Sequence, residues 1–261
     1  MRILVTNDDG IGATGLNVLE QLAQELSTDV WAVAPNDDCS DGFSAPTIGK
    51  PLELKTLGAK RYSLKGTPTD CVIVGVRCLL VDNPPSVLLC GVNRGENLAD
   101  EIYHSSTVMA AIQGTLFGIP SISISLATGE SKPKWDIVRQ HGAHVLRTLL
   151  KRGWPLDVLL NVNFPDCTPD FVKGVLVTQQ GTRDPASWVP LCTRYNRGTQ
   201  KVCTQRRKSE PQEETDLWAV QHECISVTPI CVDLTKQKVW SDLAANFTRL
   251  NEARTAAHDS S

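Results

Sequence analysis

The sequence predicts an α/β fold built on a mostly parallel, doubly wound sheet, and three observations carry that expectation. Strand and helix patterns alternate through the first two-thirds of the chain. Its strands read as short continuous apolar runs, as strands covered by helices on both faces do. At 261 residues with 41% apolar content, the chain can bury a full core.

The elements follow in order. Arg2–Thr6 is a short apolar strand that runs into Asn7-Asp8-Asp9-Gly10. Leu16, Leu19, Leu22 and Leu26 recur at helical spacing and predict an amphipathic helix. Val30–Ala34 is a second strand, stopped by Pro35 and followed by a polar loop from Asn36 to Ser44. Gly66-Thr67-Pro68-Thr69-Asp70 opens a helix, with an apolar run from Cys71 to Leu80 behind it. Val87–Cys90 is a strand that leads into Gly91-Val92-Asn93-Arg94-Gly95-Glu96-Asn97. Ser105-Ser106-Thr107 caps a helix running to Phe117, which Gly118 and Pro120 close, and Ile119–Ser125 is the next strand. A helix carrying Val138, Val145 and Leu149 and a strand at Val158–Val162 complete the alternation.

After about Pro165 the character changes. Residues 181–216 are polar and helix-poor and predict a protruding hairpin or a loop, and Ile225–Ile230 returns to strand. The division expected is a core over 1–165 and a C-terminal extension over 166–261, all within one domain.

A net charge of −3 gives no reason to expect a nucleic-acid polymer or an anionic membrane as partner. No apolar run reaches the length of a membrane helix. The start of the chain lacks the layout of a secretory signal, so a cytoplasmic protein is expected. Nine scattered cysteines without a C-x-x-C pair agree with reduced thiols there and argue against zinc and thioredoxin chemistry.

Asp8 and Asp9 carry the strongest chemical signal. Adjacent carboxylates at the end of a buried strand repel unless a cation lies between them or water solvates them. Consecutive strand residues face opposite sides, so the two can share an ion only where the chain turns, and Gly10 eases that turn. Ligands of open α/β sheets bind at the carboxyl ends of strands. Ser40, in the loop after the second strand, and Asn93, after the strand ending at Cys90, fall on the same edge. Together the four offer only oxygen ligands, a set suited to Mg²⁺, Mn²⁺ or Ca²⁺ and wrong for zinc. The amides opening the helix at Ser105-Ser106-Thr107 form an anion site beside it, the combination phosphoryl transfer requires.

Gly10-Ile11-Gly12-Ala13-Thr14-Gly15 also satisfies G-x-G-x-x-G between a strand and a helix, the dinucleotide-binding pattern. Against it, Asp8 and Asp9 would repel a pyrophosphate lacking a metal. The second strand also ends without the acidic residue that holds a ribose. A dinucleotide-dependent oxidoreductase and a non-catalytic nucleotide-binding protein are the two alternatives.

The opening Met1–Gly10 resembles that of the SurE family of metal-dependent 5'/3'-nucleotidases. Further matching stretches are Val33-Ala34-Pro35 with Ser40, Gly66–Cys71, Gly91-Val92-Asn93 with Gly95 and Asn97, and Ser105 with Thr107. Asn161–Pro165, Thr215-Asp216 and Ser226–Pro229 complete the series, in order along nearly the whole chain. The resemblance implies a Rossmann-like three-layer core with a C-terminal hairpin and extension used in oligomerisation, giving homodimers or homotetramers. It implies hydrolysis of nucleoside monophosphates, with some members also trimming short polyphosphate, and one divalent ion per subunit, Mg²⁺ or Mn²⁺. By matching position the metal ligands fall on Asp8, Asp9, Ser40 and Asn93; from the chemistry of the site, one of the two aspartates is expected to accept the proton of an attacking water. Asn97, Ser105, Ser106 and Thr107 would line the phosphate. Gly12, Thr14 and Ser106 depart from the usual family residues without removing a ligand.

Overall fold

The computed structural model describes residues 1–39, 44–129, 132–196, 199–206 and 210–258. Its elements run β1 (Arg2–Thr6), α1 (Thr14–Leu26), β2 (Asp29–Pro35), β3 (Leu54–Gly58), β4 (Arg61–Leu64) and α2 (Pro68–Val74). Then follow β5 (Val87–Arg94), α3 (Ser106–Leu116), β6 (Ser121–Leu126), α4 (Trp135–Arg152), β7 (Val158–Phe164) and β8 (Gly174–Val177). The chain continues through β9 (Trp188–Asn196), β10 (Thr199–Arg206), α5 (Asp216–Gln221), β11 (Cys224–Cys231) and α6 (Gln237–His258).

One sheet of nine strands has the order β3-β4-β2-β1-β5-β6-β7-β11-β8. From β4 to β7 all pairings are parallel, while β3 and β11 pair antiparallel with β4 and β7. β8 and β11 thus bring residues from beyond Pro165 into the same sheet. Within the stretch read as hairpin or loop, β9 and β10 form a separate antiparallel pair.

Alternation along β1 sorts the core into two layers. Ile3 and Val5 join a cluster with Leu16, Leu19 and Leu22 of α1 and Ile137, Val145 and Leu146 of α4. Leu4 faces the other way, into a cluster with Val72 of α2 and Val108 and Ala111 of α3. Three layers result, helix on sheet on helix, as expected.

Gly15 sets how closely α1 can approach the sheet. A Cβ there would lie 2.0 Å from the carbonyl oxygen of Val92 in β5, so only glycine fits. At Gly91 the φ of +134° and the backbone of Ile124, 2.2 Å from an ideal Cβ, demand glycine for the same reason.

β5 runs to Arg94 rather than ending at Cys90, with a register shift between Cys90 and Asn93. Asn93 therefore lies on the end of a strand, opposite Ser125 of β6, not in a free loop. The sequence reading did not find β3, β4 or β8. β3 is exposed at all five positions and β8 at three of four, so neither shows the apolar alternation that marks a half-buried strand.

Among the described residues no helix is long and apolar enough to cross a membrane. Cys39, Cys71, Cys78, Cys90, Cys167, Cys224 and Cys231 are free thiols, with Cys71, Cys90, Cys167 and Cys224 buried as small apolar side chains.

Candidate active site

The chain fills β1, β2 and β4 on one side of the sheet, then returns to place β5 on β1's other flank. That reversal is the topological switch point, where the crevice of a doubly wound sheet opens at the strands' carboxyl ends. Asp8 and Asp9 follow β1 at this point, and Asn93, the penultimate residue of β5, shares a cavity wall with Asp8.

Local hydrogen bonds shape the β1 exit. Asn7 Nδ2 donates to the Gly10 carbonyl at 2.9 Å and closes the turn, with Gly10 at φ +96°. Asn7 is fully buried, and its Oδ1 has no partner among the described residues. The Cys39 amide donates to the Asp8 carbonyl at 2.8 Å, pinning the loop after β2 against the turn. Ser40 itself lies outside the described residues. On the far side of that gap, Ser44 Oγ donates to Ser106 Oγ at 2.9 Å. The loop is thus tied to the β1 exit just before Ser40 and to the start of α3 at Ser44.

Asp8 is 4% exposed, and Thr107 Oγ1 donates to its Oδ1 at 2.7 Å. Burial pushes the Asp8 carboxyl up to about 6, with the Thr107 hydrogen bond opposing and the neighbouring Asp9 and Asp38 adding to the rise. A buried carboxylate that feels the charge of two others stores unfavourable energy, which a cation would relieve. The donors at the strand ends are oxygens, the type a hard divalent ion selects. Among the described residues no three His, Cys, Asp or Glu side chains cluster for a metal. An ion here would therefore draw on amide and hydroxyl oxygens beside the two aspartates.

Ser105 caps α3, its Oγ accepting from the Val108 amide at 3.2 Å. The preceding first-turn amides, of Ser106 and Thr107, have no intrahelical partner and are suited to an anion. Asn97 is anchored on its backbone: its amide donates to Asn163 Oδ1 at 2.9 Å, and its carbonyl accepts from Asn161 Nδ2 at 2.8 Å. Asn97 Nδ2 donates to Ser125 Oγ at 2.8 Å. Buried amides on β7 thus fix the loop that follows β5.

Asp8, Asn93, Asn97, Ser105 and Ser106 line one cavity of about 240 Å³. Asp9 lines the neighbouring cavity, of about 580 Å³, and Arg94 borders both. The sequence reading missed Arg94, Glu96, Glu101 and His104 in the smaller cavity's wall. Arg94 and Glu96 sat inside the quoted Gly91–Asn97 stretch, while nothing in the spacing marked Glu101 or His104. Arg183 Nη2 holds Glu101 Oε2 at 2.7 Å, and the buried Asp216 carboxylate accepts from the Ala99 and Gly181 amides, both at 2.8 Å. Elements beyond Pro165 therefore brace the site.

A model of the family described as Survival protein SurE matches residues 3–187. The chain belongs to the SurE family. A relative from Azorhizobium caulinodans, named 5'-nucleotidase SurE, is 46% identical over 252 residues, covering 95% of this chain and 99% of its own. Another of that name, from Parvibaculum lavamentivorans, is 44% identical, covering 91% of this chain and 88% of its own. The crystal structure of SurE from Aquifex aeolicus superposes with a TM-score of 0.85 at 32% identity, covering 93% and 98% of the two chains. Neither alternative from the sequence draws support from these relatives. In this family member Gly10 and Gly15 serve a turn and helix–strand packing instead.

Proposed function

We propose that this chain is a divalent-metal-dependent phosphomonoesterase that hydrolyses nucleoside 5'-monophosphates to nucleoside and phosphate. The same chemistry would extend to 3'-monophosphates and short polyphosphate. The relatives' shared name supports the substrate class. The observation that carries the reading is the 2.7 Å hydrogen bond from Thr107 to Asp8. It joins a buried, charge-stressed carboxylate to a helix start that can receive an anion.

In this reading Asp8, Asp9, Ser40 and Asn93 hold one Mg²⁺ or Mn²⁺ ion. When bound, that ion would neutralise phosphate charge and polarise the phosphorus centre. Ser105, Ser106 and Asn97 bind the non-bridging oxygens, with the free amides of α3 stabilising charge that builds in the transition state. Thr107 fixes the Asp8 carboxylate, and one of the two aspartates accepts a proton from the attacking water. The protein acts in the cytoplasm as a homodimer or homotetramer, using its C-terminal extension for assembly.

The test is a panel of 5'- and 3'-monophosphates and polyphosphate, each run with chelator and with several divalent ions. Metal-dependent release of phosphate from the monophosphates is expected. A purified protein inert on every nucleotide with metal present would instead favour a binding role.

A further inference from the structure

The smaller cavity, at about 240 Å³, lies below the roughly 300–1,000 Å³ of ordinary small-molecule sites and suits a phosphate group rather than a whole nucleotide. The neighbouring cavity, at about 580 Å³, falls inside that range. Asp8 borders the first and Asp9 the second, one peptide apart, and Arg94 forms part of both walls. A phosphomonoester anchored at the β1 exit therefore has a second compartment beside its phosphate.

That compartment is lined by Trp135, Asp38, Lys132 and Gly15 as well as Asp9 and Arg94. Trp135, the first residue of α4, is partly buried against the core while also facing this cavity. A Cβ on Gly15 would reach to 3.2 Å from the Trp135 ring, so the bare glycine leaves room beside the indole. An indole wall offers a stacking surface, and the carboxylate of Asp38 offers an acceptor for sugar hydroxyls.

We propose that this larger cavity is the nucleoside subsite, with the base stacked on Trp135 and the ribose beside Asp38 and Arg94. The proposal rests on the nucleotidase reading and adds to it where the leaving nucleoside sits. Stacking tolerates every base, because each presents a π-face, so the subsite discriminates nucleotides from base-free phosphate esters more than one base from another.

The experiment compares adenosine 5'-monophosphate with ribose 5-phosphate, which carries an anomeric hydroxyl in place of the base, in metal-loaded wild-type protein and in Trp135→Ala. Wild type favours the nucleotide in kcat/KM. In Trp135→Ala that ratio falls roughly tenfold, mainly through KM, and Trp135→Tyr restores most of it. A ratio of two substrates on one preparation cancels any loss of active protein, and Trp135→Leu, which keeps apolar bulk without a large ring, serves if the alanine variant does not fold. An unchanged ratio in the alanine or leucine variant overturns the subsite. Failure of wild type to cleave either ester overturns the nucleotidase reading, and the subsite with it.

Discussion

Thr107 Oγ1 lies 2.7 Å from Asp8 Oδ1, a buried hydrogen bond that couples the first turn of α3 to the end of β1. Because the hydroxyl donates to the ionised carboxylate, it holds the Asp8 pKa below where burial alone would put it. Thr107→Val should raise that pKa above about 6. In the metal-free site a proton then competes more strongly with the ion for Asp8, so at subsaturating Mn²⁺ kcat/KM falls more at pH 6 than at pH 8. A parallel loss at every pH would contradict this role.

Asp8 also gives the metal-free protein a pH-dependent weakness. Its folded pKa of about 6 lies above the ordinary 3.8, so between those values the folded state keeps a proton the unfolded state has released. Stability therefore falls as pH rises through that window and stays lower above it, by an amount on the order of 3 kcal/mol. Asp8→Asn keeps an acceptor for Thr107 and removes the charge. In chelator at pH 7 the variant should unfold at higher urea than wild type, the gap narrowing towards pH 4. Equal midpoints at pH 7 would show that Asp8 is not charge-stressed.

Gly15→Ala tests the use of the glycine-rich turn. The added Cβ meets the Val92 carbonyl, which belongs to the sheet and cannot swing aside. Overpacking of this kind costs roughly 1–3 kcal/mol or more. Thermal unfolding should show a clear drop in Tm. An unchanged Tm would mean that α1 shifts freely over β5.

Asp216 is fully buried and accepts from three backbone amides, those of Ala99, Gly181 and Leu217. Asp216→Ala leaves all three without that partner and should cost about 3 kcal/mol or more in urea unfolding. Loss of less than about 1 kcal/mol would mean that water replaces the carboxylate readily.

The sequence made the parallel sheet legible because its strands are covered on both faces and leave unbroken apolar runs. Ile3–Val5 and Val87–Cys90 are examples, buried throughout. The edge strand β3 left no such trace, being exposed along its length. At the site, Asp8, Asn93 and Ser105 were readable because each ends a strand or begins a helix. Asn93 differs only in sitting on an extended β5, where Gly91 breaks the apolar run but not the strand. The supports were less legible. Asn161 and Asn163 hold Asn97 from a buried strand 64 and 66 residues away, and Asp216 acts from 117 residues beyond Ala99. Such pairings depend on strand order, which local spacing does not encode.

The most direct trial is phosphate release from a nucleoside 5'-monophosphate by wild type and Asp9→Asn, after chelator stripping and again after Mn²⁺ or Mg²⁺ is restored. Wild type should fall silent when stripped and recover with the ion, while Asp9→Asn, folded, stays roughly 100-fold or more below it. Turnover indifferent to chelator, or wild-type rates in Asp9→Asn, would contradict an ion held at the end of β1.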